Sequence, residues 1–136
     1  MRVGFTGTRY GMTDEQKVRF ASLLATLGAT EFHHGDCVGA DDQAAAMASC
    51  NPKCRIICHP PVDVTHRAYN KKSHEIRPPK THFARNRDIV NETDILIATP
   101  LQAEHQSQGG TWYTIDFAMK MGKVVHIICP DGRIKE

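Results

Sequence analysis

Five short β-prone runs alternate with four stretches of helical character, and this alternation leaves the chain few ways to fold. The runs are 2–6, 30–34, 55–59, 94–99 and 124–129, most of them followed by a glycine-bearing turn or by proline. A parallel return between strands needs a crossover, and a crossover helix covers the face of the sheet it returns across. The continuous apolar centres of 55–59 and 94–99 suit strands covered on both faces. The expectation is an α/β fold with an open, mostly parallel five-stranded sheet, helices on both faces, and one domain over 1–136. Thr13 and Gln16 have the spacing of a capping box, and Gly28 ends an apolar-faced helix through Val18, Phe20, Leu23, Leu24 and Leu27.

In sheets of this kind ligands bind beyond the carboxyl ends of the strands. Three glycine-bearing turns fall on that side: Gly7-Thr8-Arg9, Gly35-Asp36-Cys37-Val38-Gly39 and Gly109-Gly110-Thr111. A helix start leaves backbone N–H groups unpaired, and glycine lets a ligand come close to them. The threonines flanking Gly7 and the guanidinium of Arg9 suit a phosphate or ribose, although a tight turn with a solvated arginine fits these residues equally well. Asp36 has oxygens able to hold a ribose hydroxyl. Asp41 and Asp42 lie in the first turn of a helix, where a cap is the simpler role for Asp41. Neither the G-x-G-x-x-G fingerprint nor the G-x-x-x-x-G-K-[ST] loop is present.

A formal charge of +2 does not by itself favour a polyanionic partner. Basic residues do collect between 62 and 80, at Arg67, Lys71, Lys72, Arg77 and Lys80, where no helical or strand period is visible. They either cover an anion or solubilise an edge. Arg85 and Arg87 occupy different faces of the helix that follows, so one of them can reach a cleft. Trp112 and Tyr113 suit packing or an oligomer contact better than base stacking, and a homodimer is an open expectation. The five cysteines, 37, 50, 54, 58 and 129, lack the C-x2-C spacing of structural zinc sites, so reduced thiols and no metal or cofactor are expected. No apolar run approaches the roughly 20 residues needed to cross a bilayer.

The runs Gly7-Thr8-Arg9, His34-Gly35-Asp36-Cys37-Val38-Gly39-Ala40-Asp41, Arg85-Asn86-Arg87-Asp88-Ile89-Val90 and Gly109-Gly110-Thr111-Trp112 resemble, in that order, the SLOG superfamily. This group of Rossmann-like proteins includes DprA, the cytokinin-activating phosphoribohydrolases and small stand-alone bacterial and phage proteins. The resemblance implies a cytoplasmic protein of a bacterial or phage-infected cell. It also implies a site for a nucleotide or nucleotide-derived ligand, with phosphate at Gly110 and Thr111 beside Arg85. The ligand-binding set so implied is Gly7, Thr8, Arg9, Gly35, Asp36, Gly39, Asp41, Arg85, Asn86, Gly109, Gly110 and Thr111. The phosphoribohydrolase pattern continues into glutamates, one of them catalytic. Here Trp112-Tyr113-Thr114-Ile115-Asp116 follows, leaving Asp36 or Asp116 as the only carboxylate candidates for N-glycoside hydrolysis. A sensing or sequestering module is therefore the leading expectation. A nucleoside-monophosphate N-glycosidase is the alternative, and nucleic-acid binding of the DprA kind is not favoured.

Overall fold

The computed structural model describes residues 1–135. The elements in chain order are β1 (Arg2–Gly7), α1 (Asp14–Leu27), β2 (Glu31–His34), α2 (Ala40–Ala48), β3 (Arg55–Cys58), β4 (Glu75–Ile76), α3 (His82–Asn91), β5 (Ile95–Thr99), α4 (Gly110–Lys120), β6 (Val124–Ile128) and β7 (Ile134–Lys135). They form one sheet in the order β4-β3-β2-β1-β5-β6-β7. All pairings are parallel except β6 with β7. The sheet thus has seven strands where the sequence suggested five, and the two additional ones, β4 and β7, are edge strands of 2 residues each. Two residues are too short for a period-2 pattern, so only the partner strand reveals them.

The strand order reverses between β1 and β5, which opens a crevice beyond their carboxyl ends. The elements around it are held by ordinary local chemistry. The Thr13 hydroxyl accepts from Gln16 N–H while the Gln16 side chain accepts from Thr13 N–H, which closes the expected capping box, and Gly28 ends α1 at φ 62°. The Gln16 amide also donates to the carbonyls of Pro100 and Ile128, tying α1 to the ends of β5 and β6.

On one side of the sheet Phe5, Phe20 and Phe32 pack as an aromatic triangle, with ring centroids 5.4–5.8 Å apart. Ala40, Ala44, Ala45 and Ala48 bring α2 against the same core. On the other side Trp112, Ile115 and Ala118 of α4 pack on Leu96, Val125 and Ile127. Gly4 lets α3 approach this same face, because a Cβ there would press on Thr93 and Ile89. No helix among the described residues is long and apolar enough to cross a membrane.

Truncation at the centre of the triangle, Phe20→Ala, is expected to cost about 3–5 kcal/mol, measured by urea unfolding. Burial also sets a pH dependence. It lowers the pKa of His34 to about 4 and that of His59 to about 3, so the folded protein refuses protons that the unfolded chain accepts near 6.5. Stability is then full above pH 6.5 and falls as pH drops from there towards 4. Asp41, raised to about 6 by its burial, works in the opposite sense between its ordinary value and 6. Two histidines outweigh one aspartate, so melting temperatures measured from pH 7 to pH 4 should fall, and His34→Gln should flatten that slope.

Candidate functional site

A cavity of about 640 Å³ fills the crevice at the ends of β1 and β5, a size within the usual range for small-molecule sites. Of the residues expected from sequence, Gly7, Thr8, Arg9, Gly35, Asp41, Arg85, Asn86, Gly109, Gly110 and Thr111 line it, whereas Asp36 and Gly39 do not. The three glycine-bearing turns do converge, but they serve different purposes.

The turn between β2 and α2 spends its backbone on the protein itself. Gly35 and Cys37 N–H donate to Asp41 Oδ2 at 3.2 and 3.3 Å, Asp36 N–H to His34 Nδ1 at 3.0 Å, and Val38 N–H to the His66 carbonyl at 2.8 Å. At the start of α2 the Ala40 N–H donates to the Thr8 carbonyl. The first N–H of that helix is therefore taken by the neighbouring turn. Gly39, at φ 87°, is required because a Cβ would run into the backbone of Arg9. Asp41 reaches back to bond the turn instead of capping its own helix.

Asp36 needs a correction of its own. It is fully buried with φ 57°, and its carboxylate faces the 62–80 segment instead of a ligand. Arg67 Nε donates to Oδ2 at 2.9 Å, and Asn70 N–H donates to Oδ1 at 2.9 Å. The Ala68 N–H donates to the Asp36 carbonyl. Asp36 is thus the anchor of a loop. Asp116, the other carboxylate candidate, is half-exposed, pairs with His105 at 2.9 Å and lies outside the lining. Among the described residues Asp41 is the one carboxylate that lines the cavity, and burial holds its pKa up at about 6 against the lowering effect of Arg85.

Arg85 is buried at one wall. Its Nη1 donates to the carbonyls of Gly35 and His59, Nε donates to Asn86 Oδ1 at 2.7 Å, and Nη2 to His82 Nδ1 at 3.1 Å, with Cys37 Sγ alongside. A Cβ at Gly35 would land on this guanidinium, which accounts for that glycine. Arg85 supplies positive potential to the cavity while its N–H groups hold the strand ends together. Burial pushes the Cys37 thiol up to about 11, so it is not a thiolate nucleophile.

The third turn is different. Gly109, at φ 101° and ψ 148°, caps α4 with no side-chain hydrogen bond, and the start of the helix faces the cavity. The first N–H groups of such a helix have no intrahelical partner. Trp112, one turn in, is buried and lines the cavity, and its indole Nε1 has no hydrogen-bond partner. Trp112 packs on the sheet as expected, while Tyr113 makes a tilted ring contact with Phe83 at 4.3 Å and accepts from Arg87. Tyr10, His66, His82 and the glutamines 102, 106 and 108 complete the wall. His66 had no signal in the sequence, because only the loop anchored at Asp36 brings it over the cavity, where Arg9 Nη1 donates to its Nε2 at 2.8 Å.

Removing the anchor should free the loop without emptying the cavity. Asp36→Ala is expected to cost about 3 kcal/mol, the order expected when one partner of a buried pair is lost. Limited trypsin digestion should then cut at Arg67, Lys71 or Lys72, where the parent protein resists.

No protein-family model matches this chain, and a search of curated proteins finds no match. Two solved structures share its fold. One is the molybdenum cofactor binding protein from the phototrophic bacterium Rippkaea orientalis, with a TM-score of 0.69 and 20% identity over 92% of this chain and 74% of that one. The other is the structural-genomics protein TM1055, with a TM-score of 0.65 and 15% identity over 92% of this chain and 72% of that one. The chain therefore has a Rossmann-like α/β fold.

Proposed function

We propose that the protein is a SLOG-type module that binds a nucleotide or nucleotide-derived ligand in the cavity, with the ligand's anionic group at the start of α4. The observation that carries this reading is the pairing of the α4 start, which has no side-chain cap, with Trp112, a residue that lines the same cavity and whose buried indole N–H has no partner. A buried donor without an acceptor is costly, and a ligand oxygen would remove that cost. The helix dipole favours negative charge at the same place. Thr8, Arg9, Asn86, Gly110 and Thr111 are the further contacts in this reading, and Arg85 contributes charge from behind. The fold likeness to a protein described as binding molybdenum cofactor supports a small-molecule occupant.

The N-glycosidase alternative lacks a free carboxylate beside the sugar. Asp36 is taken by Arg67 and Asn70, Asp116 lies outside, and Asp41 accepts from two backbone N–H groups. Nucleic-acid binding loses ground as well, since Arg67, Arg77 and Lys80 of the basic segment are paired with Asp36, Glu75, Glu92 and Asp88.

A thermal-shift screen with mono-, di- and cyclic nucleotides and sugar phosphates tests the reading. At least one should raise the melting temperature in a concentration-dependent way. Trp112→Phe, which deletes only the donor, should weaken that ligand about tenfold, the loss of one hydrogen bond to a charged group. Nucleoside monophosphates should release no free base on prolonged incubation. If no compound shifts the melting point, the reading fails, and base release would transfer the site to the hydrolase class.

A further inference from the structure

The face of the sheet that carries α3 holds a polar cluster that the cavity does not use. Parallel strands covered on both faces are expected to be apolar, yet β2 presents Glu31 and His33 on this side, in register with Arg55 and Ile57 of β3 and, for His33, with Gly4 of β1. His33 is 1% exposed and His59, in the turn after β3, is 3% exposed. Their rings stack with centroids 5.1 Å apart, and His33 Nδ1 lies 2.8 Å from His59 Nε2. One donor atom from each of His33, His59 and Glu92, the residue that caps α3, falls within 4.8 Å of the other two.

The hydrogen-bond pattern fixes which nitrogen carries the proton and leaves Nδ1 as the acceptor of the His59 Nε2–H. Glu31 Oε1 lies 2.9 Å from His33 Nε2 and can only accept, so the proton sits on Nε2 and Nδ1 turns its lone pair inward. A carboxylate behind the distal nitrogen of an imidazole is the usual arrangement that orients a metal-ligating histidine. The three donors stand on three separate fixed elements. The His59 N–H bonds the His34 carbonyl and the Glu92 N–H bonds the Asp88 carbonyl, so the backbone does not have to move to assemble them.

From this geometry we propose that His33, His59 and Glu92 form a binding site for a divalent transition-metal cation of the zinc class. Two imidazoles and one carboxylate suit such an ion better than magnesium or calcium, which take oxygen ligands, and three protein donors leave a fourth position to water. Metal binding replaces the hydrogen bond between His59 Nε2 and His33 Nδ1, so His59 would bind through Nε2 as the tautomer protonated on Nδ1. The half-exposed Glu92 gives the ion a route from solvent.

One residue competes. Arg77 Nη2 donates to Glu92 Oε1 at 2.7 Å, Nη1 pairs with Glu75, and its Nε is buried without a partner. The guanidinium holds the carboxylate that the metal needs, so the ion must displace it. This separates the site from the neighbouring group His34, Asp36 and Cys58, whose donors also lie close together. There His34 is bonded through both nitrogens, to the Asp36 N–H and to Ser73, and Asp36 holds Arg67 and Asn70. His33 is also bonded through both nitrogens, but its Nδ1 meets His59, a fellow ligand, whereas the Nδ1 of His34 is held by a fixed backbone N–H.

The test uses the full chain stripped of metal by chelator and titrated with zinc and cobalt(II) chloride, followed by calorimetry and visible absorption. About one equivalent should bind, and the cobalt form should show d–d bands without a thiolate charge-transfer band. Glu92→Gln should weaken zinc binding about tenfold or more. Arg77→Gln should strengthen it, a change of opposite sign that a loss of fold does not produce. Failure to bind metal, a thiolate band that places the ion on the cysteines, or equal affinities in the parent and both variants would overturn the proposal. None of these outcomes depends on what occupies the cavity.

Discussion

The buried guanidinium of Arg85 is the interaction on which the architecture of the site rests. It joins the carbonyl of Gly35, just past β2, to that of His59, just past β3, and fastens both to the first turns of α3. Burying a cation costs several kcal/mol unless its hydrogen-bonding capacity is filled. Here each guanidinium nitrogen has an acceptor, and Asp41 places a carboxylate in the same region. That requirement propagates outward. Gly35 must be glycine to make room for Arg85, Asp41 must bond Gly35 and Cys37 to hold the turn, and Gly39 must be glycine so that this turn can lie against Arg9.

Much of the fold was legible because it depends on short-range patterns. The capping box at Thr13 and Gln16 and the apolar centres of β3 and β5 are written in adjacent residues. The strands β4 and β7 escaped because they are defined by their partners. The glycines illustrate the limit best. Their positions correctly marked close approaches at strand ends, but a sequence does not say whether the approaching group is a ligand or the protein. At Gly35 and Gly39 it is the protein. Asp36 lies outside the lining for the same reason, held by Arg67 and Asn70, which stand more than thirty residues away in the chain.

Once those groups are subtracted, the chemistry of the cavity becomes asymmetric. The wall made by the β2–α2 turn has no free backbone donor at Gly35, Asp36, Cys37, Val38 or Ala40, each N–H being already bonded. Donors without partners concentrate at α4 and Trp112 on the opposite side. In the proposed reading the anionic group of the ligand would therefore meet the α4 side of the cavity.

The 62–80 segment gives this asymmetry its boundary. Its base is fixed by Asp36 through Arg67, Asn70 and the Ala68 N–H, and by the Val38 N–H to the His66 carbonyl. His66 then meets Arg9 at 2.8 Å over the cavity. Arginine has only donors, so His66 Nε2 must accept, and the ring facing Arg9 carries no proton on that atom. A ligand oxygen that takes the Arg9 guanidinium would displace a neutral imidazole instead of breaking an ion pair. Exchanging a neutral acceptor for a charged one strengthens the bond, so in the proposed reading a ligand oxygen would replace His66 at Arg9.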